Sequence, residues 1–320
     1  MTYLVRSDLE GSDERLADYR ADYQLLCEDG FDVDLLDEDE AQVAGGSSLY
    51  VGGLRYNSDA QFHSGRFVVG LAVGVARSPK VKIFEGCRVR SVERQGTTTC
   101  VETSGGAVSA PVVFLATNAL VPQYVPALAP ALRAERGQVL VTEILPARPC
   151  CGSFGTSLAW WREIKDPAGG YRLLFGGGRT REEPDSLFPQ FRTDGSPHPQ
   201  LETEGFSSSS AHQERLERQR ALLFPQFAGA RITHRWGGLQ CFTKDDLPVM
   251  GLLDAERNLW GMAGFCGRGN CHSDVGAEFL AGRVAGIKSE TELRFGPLFD
   301  ELMRVGRTTA NWGPWKSAYA

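Results

Sequence analysis

The stretch 259–270, Leu-Trp-Gly-Met-Ala-Gly-Phe-Cys-Gly-Arg-Gly-Asn, constrains the fold of this chain more than any other. Residues 259–263 read as a short buried strand. Gly264, Gly267 and Gly269 follow within six residues, and a helix is expected over 273–287. Glycine lets backbone approach a ligand with no Cβ in the way. A helix N-terminus offers free N–H donors and a partial positive charge. Together these suit a flat ligand, or one that becomes anionic. A tight structural turn between strand and helix accounts for the same residues equally well. The order is not the Gly-x-Gly-x-x-Gly of a dinucleotide fingerprint.

With 42% hydrophobic residues, the 320-residue chain can bury a substantial core as one large domain or two interleaved ones. The net charge of -6 is spread along the chain without a basic stripe, which excludes nucleic acid as the natural partner class. No apolar run approaches the roughly 18 residues of a membrane span. Residues 1–7 read as a strand and not as a signal peptide, so a cytoplasmic location is expected. The eight cysteines do not follow a secreted disulfide pattern and are expected to be reduced. Cys266, Cys271 and His272 superficially suggest a metal, but no second ligand pair stands at zinc-site spacing, so no metal is expected.

The spacing predicts a helix over 13–29 closed by Gly30, a strand over 31–36, and an acidic turn or short helix at 37–41. Asn57-Ser58-Asp59 is expected to cap a helix through Phe62, Phe67, Val68, Leu71 and Val75. Strands are expected at 81–84, 87–94, 97–103 and 108–110. The apolar run 112–116 reads as a strand buried on both faces of a parallel sheet. From 136 onward, 138–143, 158–164 and 171–175 read as an antiparallel sheet, and 182–210 as a surface excursion. Ser210 and Gln213 form a candidate capping box for a helix carrying Leu216, Leu223 and Phe227. Strands at 232–236 and 259–263 complete two interleaved domains.

Several stretches in this order resemble the D-amino-acid oxidase, or DAO-type, family of FAD-dependent oxidoreductases, in particular its gamma-glutamylputrescine oxidase-like subgroup. Trp236-Gly237-Gly238-Leu239 followed by Asp246-Leu247-Pro248-Val249-Met250-Gly251 is similar to the family's Trp-x-Gly-Leu … Asp-x-Leu-Pro-x-Ile-Gly signature. Residues 112–119 resemble its Val-Val-x-Ala-Thr-Asn-Ala turn, 173–179 resemble a substrate-domain strand, and the 259–270 turn resembles its isoalloxazine-wrapping loop. The match covers nearly the whole chain.

The resemblance implies FAD as cofactor and an α/β fold of the α+β two-domain kind. Its FAD/NAD(P)-binding-like layered sheet would be interleaved with an antiparallel-sheet substrate domain. It implies cofactor contacts at Val89, Ala116, Thr117, Asn118, Gly264, Phe265, Cys266, Gly267, Arg268, Gly269 and Asn270. Residues 1–50 and 131–235 would form the substrate domain, and 51–130 and 236–320 the FAD-binding domain. The family's opening strand, Gly-x-Gly-x-x-Gly turn and helix, which hold the ADP moiety, have no counterpart here, so this first βαβ unit is expected to be missing. The alternatives are a truncated enzyme, a partner chain that supplies the missing unit, and a non-catalytic remnant or partner subunit.

The implied reaction passes a hydride equivalent from a substrate C–N carbon to the flavin, forming an imine. Glycine oxidase-like members commonly place an arginine after the Gly-Leu pair to hold a carboxylate; here that position is Gln240. Glutamine cannot make the bidentate charged pair, which favours an amine over an α-amino acid unless Arg162 or Arg179 substitutes. Trp160, Trp161 and Tyr171 are candidate linings of an aromatic amine pocket, or core and sheet-face aromatics. His63, His212, His234 and His272 are candidate proton carriers, with capping and surface roles as the alternative.

Overall fold

Alternating apolar residues on long strands make two layers possible, and the chain builds them in this order. The computed structural model describes residues 1–177, 208–290, 292, 293 and 296. It begins with β1 (Thr2–Arg6), α1 (Ser12–Glu28), β2 (Val33–Leu36), α2 (Glu38–Gly45), β3 (Tyr50–Tyr56) and α3 (Ser64–Ala76). A meander of β4 (Val89–Gln95), β5 (Thr98–Thr103) and β6 (Gly106–Ala110) leads to the short β7 (Val113–Leu115). After two 3-10 segments come β8 (Arg133–Thr142), β9 (Ser153–Gly155), β10 (Ala159–Lys165) and β11 (Tyr171–Gly177). The C-terminal part holds α4 (Ser210–Leu223), β12 (Ile232–Phe242), β13 (Val249–Asp254), β14 (Leu259–Ala263) and α5 (Gly269–Ala285).

Eight strands form one sheet in the order β12-β8-β11-β10-β9-β1-β3-β2. One face is the main core: Leu4, Leu140, Trp161, Leu173 and Phe175 pack against Leu216, Leu223 and Phe224 beneath α4. Trp161 is fully buried, stacked between Phe154 and Phe175 with Phe224 edge-on. A second sheet, β13-β14-β7, packs with the β4-β5-β6 meander through Val92, Leu115, Val249 and Leu259. Ala134 and Cys241, at the far ends of β8 and β12, belong to this second core. The strand β12 thus runs from one core to the other.

Several expectations are corrected. The helix expected after Asn57 starts at Ser64 with His63 as its cap, whose Nδ1 accepts from Arg66 N at 3.3 Å. Asn57 instead donates to Asp32 and Asp34. The stretch 81–84 is not a strand: it forms no ladder with any strand among the described residues. The run 112–116 is not buried on both faces: β7 is an edge strand of three residues, and Phe114 is exposed. No capping box opens α4; the Gln213 side chain donates to Gln138 Oε1 and to the Val139 carbonyl instead. Of the acidic turn or short helix expected at 37–41, the helix forms, with a complete box between Asp37 and Glu40. The helix expected from 273 begins at Gly269. The divisions drawn after residues 50 and 235 fall at the first residue of β3 and inside β12. Most of the excursion 182–210, and Arg179 with it, lies outside the described residues.

Candidate active site

Strand register decides what the second face of the large sheet presents. Residues paired directly across neighbouring strands share a face. Trp236 pairs with Val139, Val139 with Gly176, and Gly176 with Trp160, making one row across four strands. Gly238 pairs with Gly137 in the next row, and Gln240 with Glu135 in the row after. This face carries a cavity of about 160 Å³ lined by Gly137, Gln138, Val139, Trp160, Gly177, Trp236, Gly238, Leu239 and Gln240.

The glycines differ in what they do. A Cβ on Gly176 would overlap the Trp160 indole, so the absent side chain lets that ring lie across the strand. A Cβ on Gly137 would stand 3.2 Å from Gln240 Cδ, so the Gln240 amide rests on that glycine. A Cβ on Gly238 would meet nothing within 4 Å: this glycine is open floor. Trp161, one residue along from Trp160, points to the opposite face and is a core residue remote from this lining. Glu135 is buried and ion-paired with Arg133.

The glycine-rich loop meets one end of this face. Cys266 N donates to the Cys241 carbonyl at 3.0 Å, one residue beyond Gln240. The Cys266 thiol lies 3.4 Å from Thr243 N and 3.3 Å from Thr243 Oγ1. Gly264 N donates to Asn118 Oδ1 at 3.2 Å, tying the 116–119 turn to the loop. Gly264 has φ +71°, and a Cβ there would approach Thr243 Cγ2 to 2.5 Å. Burial pushes the thiol of Cys241 up to about 12 and also raises that of Cys266, so neither is a thiolate.

The loop divides into two parts. Gly264 and Cys266 are buried against protein, whereas Gly267, Arg268 and Asn270 are exposed. The cofactor contacts expected over 264–270 therefore fall on a buried stretch up to Cys266 and a more open one from Gly267 onward. Arg268, the N-cap of α5, leaves the helix without a side-chain cap. The first-turn N–H groups have no intrahelical acceptors. In that turn, His272 Nδ1 is buried with no hydrogen-bond partner among the described residues. Burial, and then the charge of Arg268, lower the His272 pKa. An uncapped, open helix start beside an orphaned ring nitrogen fits a large ligand with acceptor atoms, as an isoalloxazine has.

The remaining candidates are dispersed. Val89 opens β4 in the meander, and its carbonyl accepts from Tyr124 Oη at 3.4 Å. His212 is buried behind the cavity, its Nε2 2.7 Å from the Gly177 carbonyl. His234 is exposed next to Thr233. Arg162 lies further out on the same strand as Trp160 and donates to the Phe62 carbonyl. Tyr171 lies under the Arg148 guanidinium. Sequence reasoning missed Gly137, Trp236 and Gly238 as lining; the signal for the glycines was their matching register on adjacent strands.

A profile described as "FAD dependent oxidoreductase" (DAO) matches residues 2–283. A "Probable oxidoreductase OrdL" from Rhizobium meliloti (strain 1021) is 24% identical over 270 residues, covering 82% of this chain and 56% of that protein. A "Gamma-glutamylputrescine oxidoreductase" from Escherichia coli (strain K12) is 27% identical over 268 residues, covering 79% of this chain and 53% of that one. The chain thus spans about half the length of these relatives. Glycine oxidase from Geobacillus kaustophilus superimposes with a TM-score of 0.71 at 18% identity, covering 90% of this chain and 71% of that one. L-proline dehydrogenase from P. horikoshii superimposes with a TM-score of 0.70 at 15% identity, covering 94% and 76%. These likenesses establish the fold. Among the described residues, no helix is long and apolar enough to cross a membrane.

Proposed function

Because the chain belongs to the DAO family of FAD-dependent oxidoreductases, we propose that it oxidises a C–N bond of an amine, with FAD against the Gly267–Asn270 segment and the substrate in the Trp160–Gln240 cavity. The observation that carries this reading is the Cys266–Cys241 hydrogen bond, which sets the glycine-rich loop beside Gln240.

Bound FAD supplies the two-electron acceptor, and the substrate leaves as an imine that water hydrolyses. The residues of this chain bind and orient. The open end of α5 offers first-turn N–H donors to acceptor atoms of the cofactor. The His272 ring, neutral at neutral pH, can donate or accept there. Among the described residues, the cavity lining carries no charged side chain. That environment favours the unprotonated amine, the reactive form. Gln240 can donate one hydrogen bond to a substrate and accept another, but it cannot clamp a carboxylate as a guanidinium does. Among amine and amino-acid substrates, this arrangement favours amines.

A second reading is favoured by one observation. Helix α3 is apolar yet has no buried residue: Phe67, Val68, Val69, Leu71, Val73 and Val75 are all exposed. Among the described residues nothing covers this face, and a surface of this kind docks a partner chain. The two readings separate in one experiment. Purified chain is mixed with FAD and passed through gel filtration. Flavin absorbance that co-elutes with the chain alone supports the first reading. Flavin retention only in the presence of a co-purifying second chain supports the second. Failure to retain flavin in either case overturns the assignment.

A further inference from the structure

A second cavity, of about 310 Å³, opens on the core side of the large sheet, away from Trp160 and Gln240. Thr2 pairs with Arg55 of β3 and with Phe154 of β9, so these three lining residues share one face. Phe154 stacks on Trp161, which identifies that face as the one carrying the main core. Val43, in the last turn of α2, and the adjacent thiols Cys150 and Cys151 stand around the same space. Its volume is that at which small-molecule sites begin. Cys151 is exposed, whereas Cys150 packs against the main core, and burial pushes its thiol up to about 12. Arg55 lies 3.7 Å from Asp34, with both side chains well exposed. Such a pair is too weak to keep a guanidinium from a second anion. The last carbonyls of a helix lack intrahelical donors and carry partial negative charge, so the end of α2 suits an ammonium.

We propose that Cys151 is a thiolation site, which forms a mixed disulfide with a small amino-acid or peptide thiol seated in this cavity. The carboxylate of the adduct turns to Arg55 and its ammonium to the end of α2. The oxidant is the disulfide of the same small thiol. The Cys151 thiolate attacks one of its two sulfurs. A new S–S bond forms at Cys151 Sγ, the old S–S bond breaks, and the other half leaves as a thiolate that takes up a proton. Cys150 does not resolve the adduct. Adjacent residues have Cα atoms about 3.8 Å apart, closer than the roughly 4.4 Å at which disulfides begin. Its raised pKa also leaves little thiolate to attack. Excess free thiol reverses the exchange, so occupancy follows the ratio of small disulfide to small thiol. Neither flavin nor amine binding enters this chemistry.

Disulfide exchange on the reduced, desalted chain at pH 8, read by mass spectrometry of the peptides, is the test. With glutathione disulfide, Cys151 should be modified about fivefold faster than the exposed Cys27 and Cys271, the effect of one charge pair near water. Cystamine, which carries ammonium groups but no carboxylate, should lose that preference. Arg55→Gln should slow glutathione addition at Cys151 and leave Cys27 unchanged. The rate of Cys151 in that variant with neutral iodoacetamide, which reads access alone, should match wild type. Cys150→Ser should leave the adduct in place. Equal rates at Cys151 and Cys27 with glutathione disulfide, equal preference with cystamine, an Arg55→Gln rate equal to wild type, or a Cys150–Cys151 disulfide as the main product would each overturn the proposal.

Discussion

Gly264 N donates to Asn118 Oδ1 at 3.2 Å, across 146 positions of sequence. The bond joins the turn after β7 to the loop after β14, two segments that follow adjacent parallel strands. Asn118 itself has φ 44°, in the left-handed region that asparagine tolerates better than most residues. Loop and turn are therefore positioned as a unit at the same end of the small sheet.

Gly264→Ala should break that unit. The added methyl meets Thr243 Cγ2 at 2.5 Å and sits at φ +71°. A loss of about 1–3 kcal/mol in urea unfolding is expected, together with weaker FAD retention. An unchanged denaturation midpoint would contradict the geometry described for the loop.

The two adjacent tryptophans should respond oppositely. Trp161→Ala removes a fully buried ring from the main core and should cost about 3–5 kcal/mol. Trp160→Ala should cost less stability but lower amine affinity severalfold, because that ring lines the cavity. Unfolding curves and calorimetric titration of both variants distinguish the roles.

Gln240→Arg should move preference from amines toward α-amino acids, since a guanidinium supplies the bidentate donor pair that glutamine lacks. Binding of glycine relative to methylamine should rise at least tenfold. Because the Gln240 side chain rests on Gly137, Gly137→Ala should displace it and weaken amine binding without changing that preference.

Thiol labelling at pH 8 should discriminate among the cysteines. Cys27, Cys151 and Cys271 are exposed and should react with iodoacetamide. Cys241, pushed up to about 12 by burial, and Cys266 should not. Saturating FAD should slow Cys271, in the first turn of α5, at least severalfold; mass spectrometry of the labelled peptides reports both results.

His272 gives a pH signature. Its folded pKa lies below the 6.5 of the free side chain, from burial and from the Arg268 charge. As pH falls below about 6.5, the unfolded chain takes up a proton that the folded chain resists, so stability is lost down to the folded pKa. The urea midpoint of the wild type should fall more steeply across that window than that of His272→Gln. Parallel profiles would show that the ring is not held neutral.

Periodicity made the large sheet legible, and glycine spacing made the loop legible. Residues 138–143, 158–164 and 171–175 alternate because one side faces the core, and all three are strands. Adjacent residues on a strand point to opposite faces, so Trp160 and Trp161 cannot share a pocket, yet sequence alone did not say which one faces out. The cavity itself depends on register between β8, β11 and β12, which are far apart in sequence. Helix α3 misled for a physical reason: apolar residues signal burial, and here they find no cover within the described structure. The start of α5 was placed four residues late because Gly269 and Asn270 are weak helix formers.

The depression over Gly238 exists because side chains are absent from its floor. Its dimensions can therefore change one methyl at a time, on strands whose main core lies on the reverse side. A lineage carrying this sheet could alter the size of molecule it accepts through single codon changes at positions 137 and 238, while the scaffold beneath stays constant.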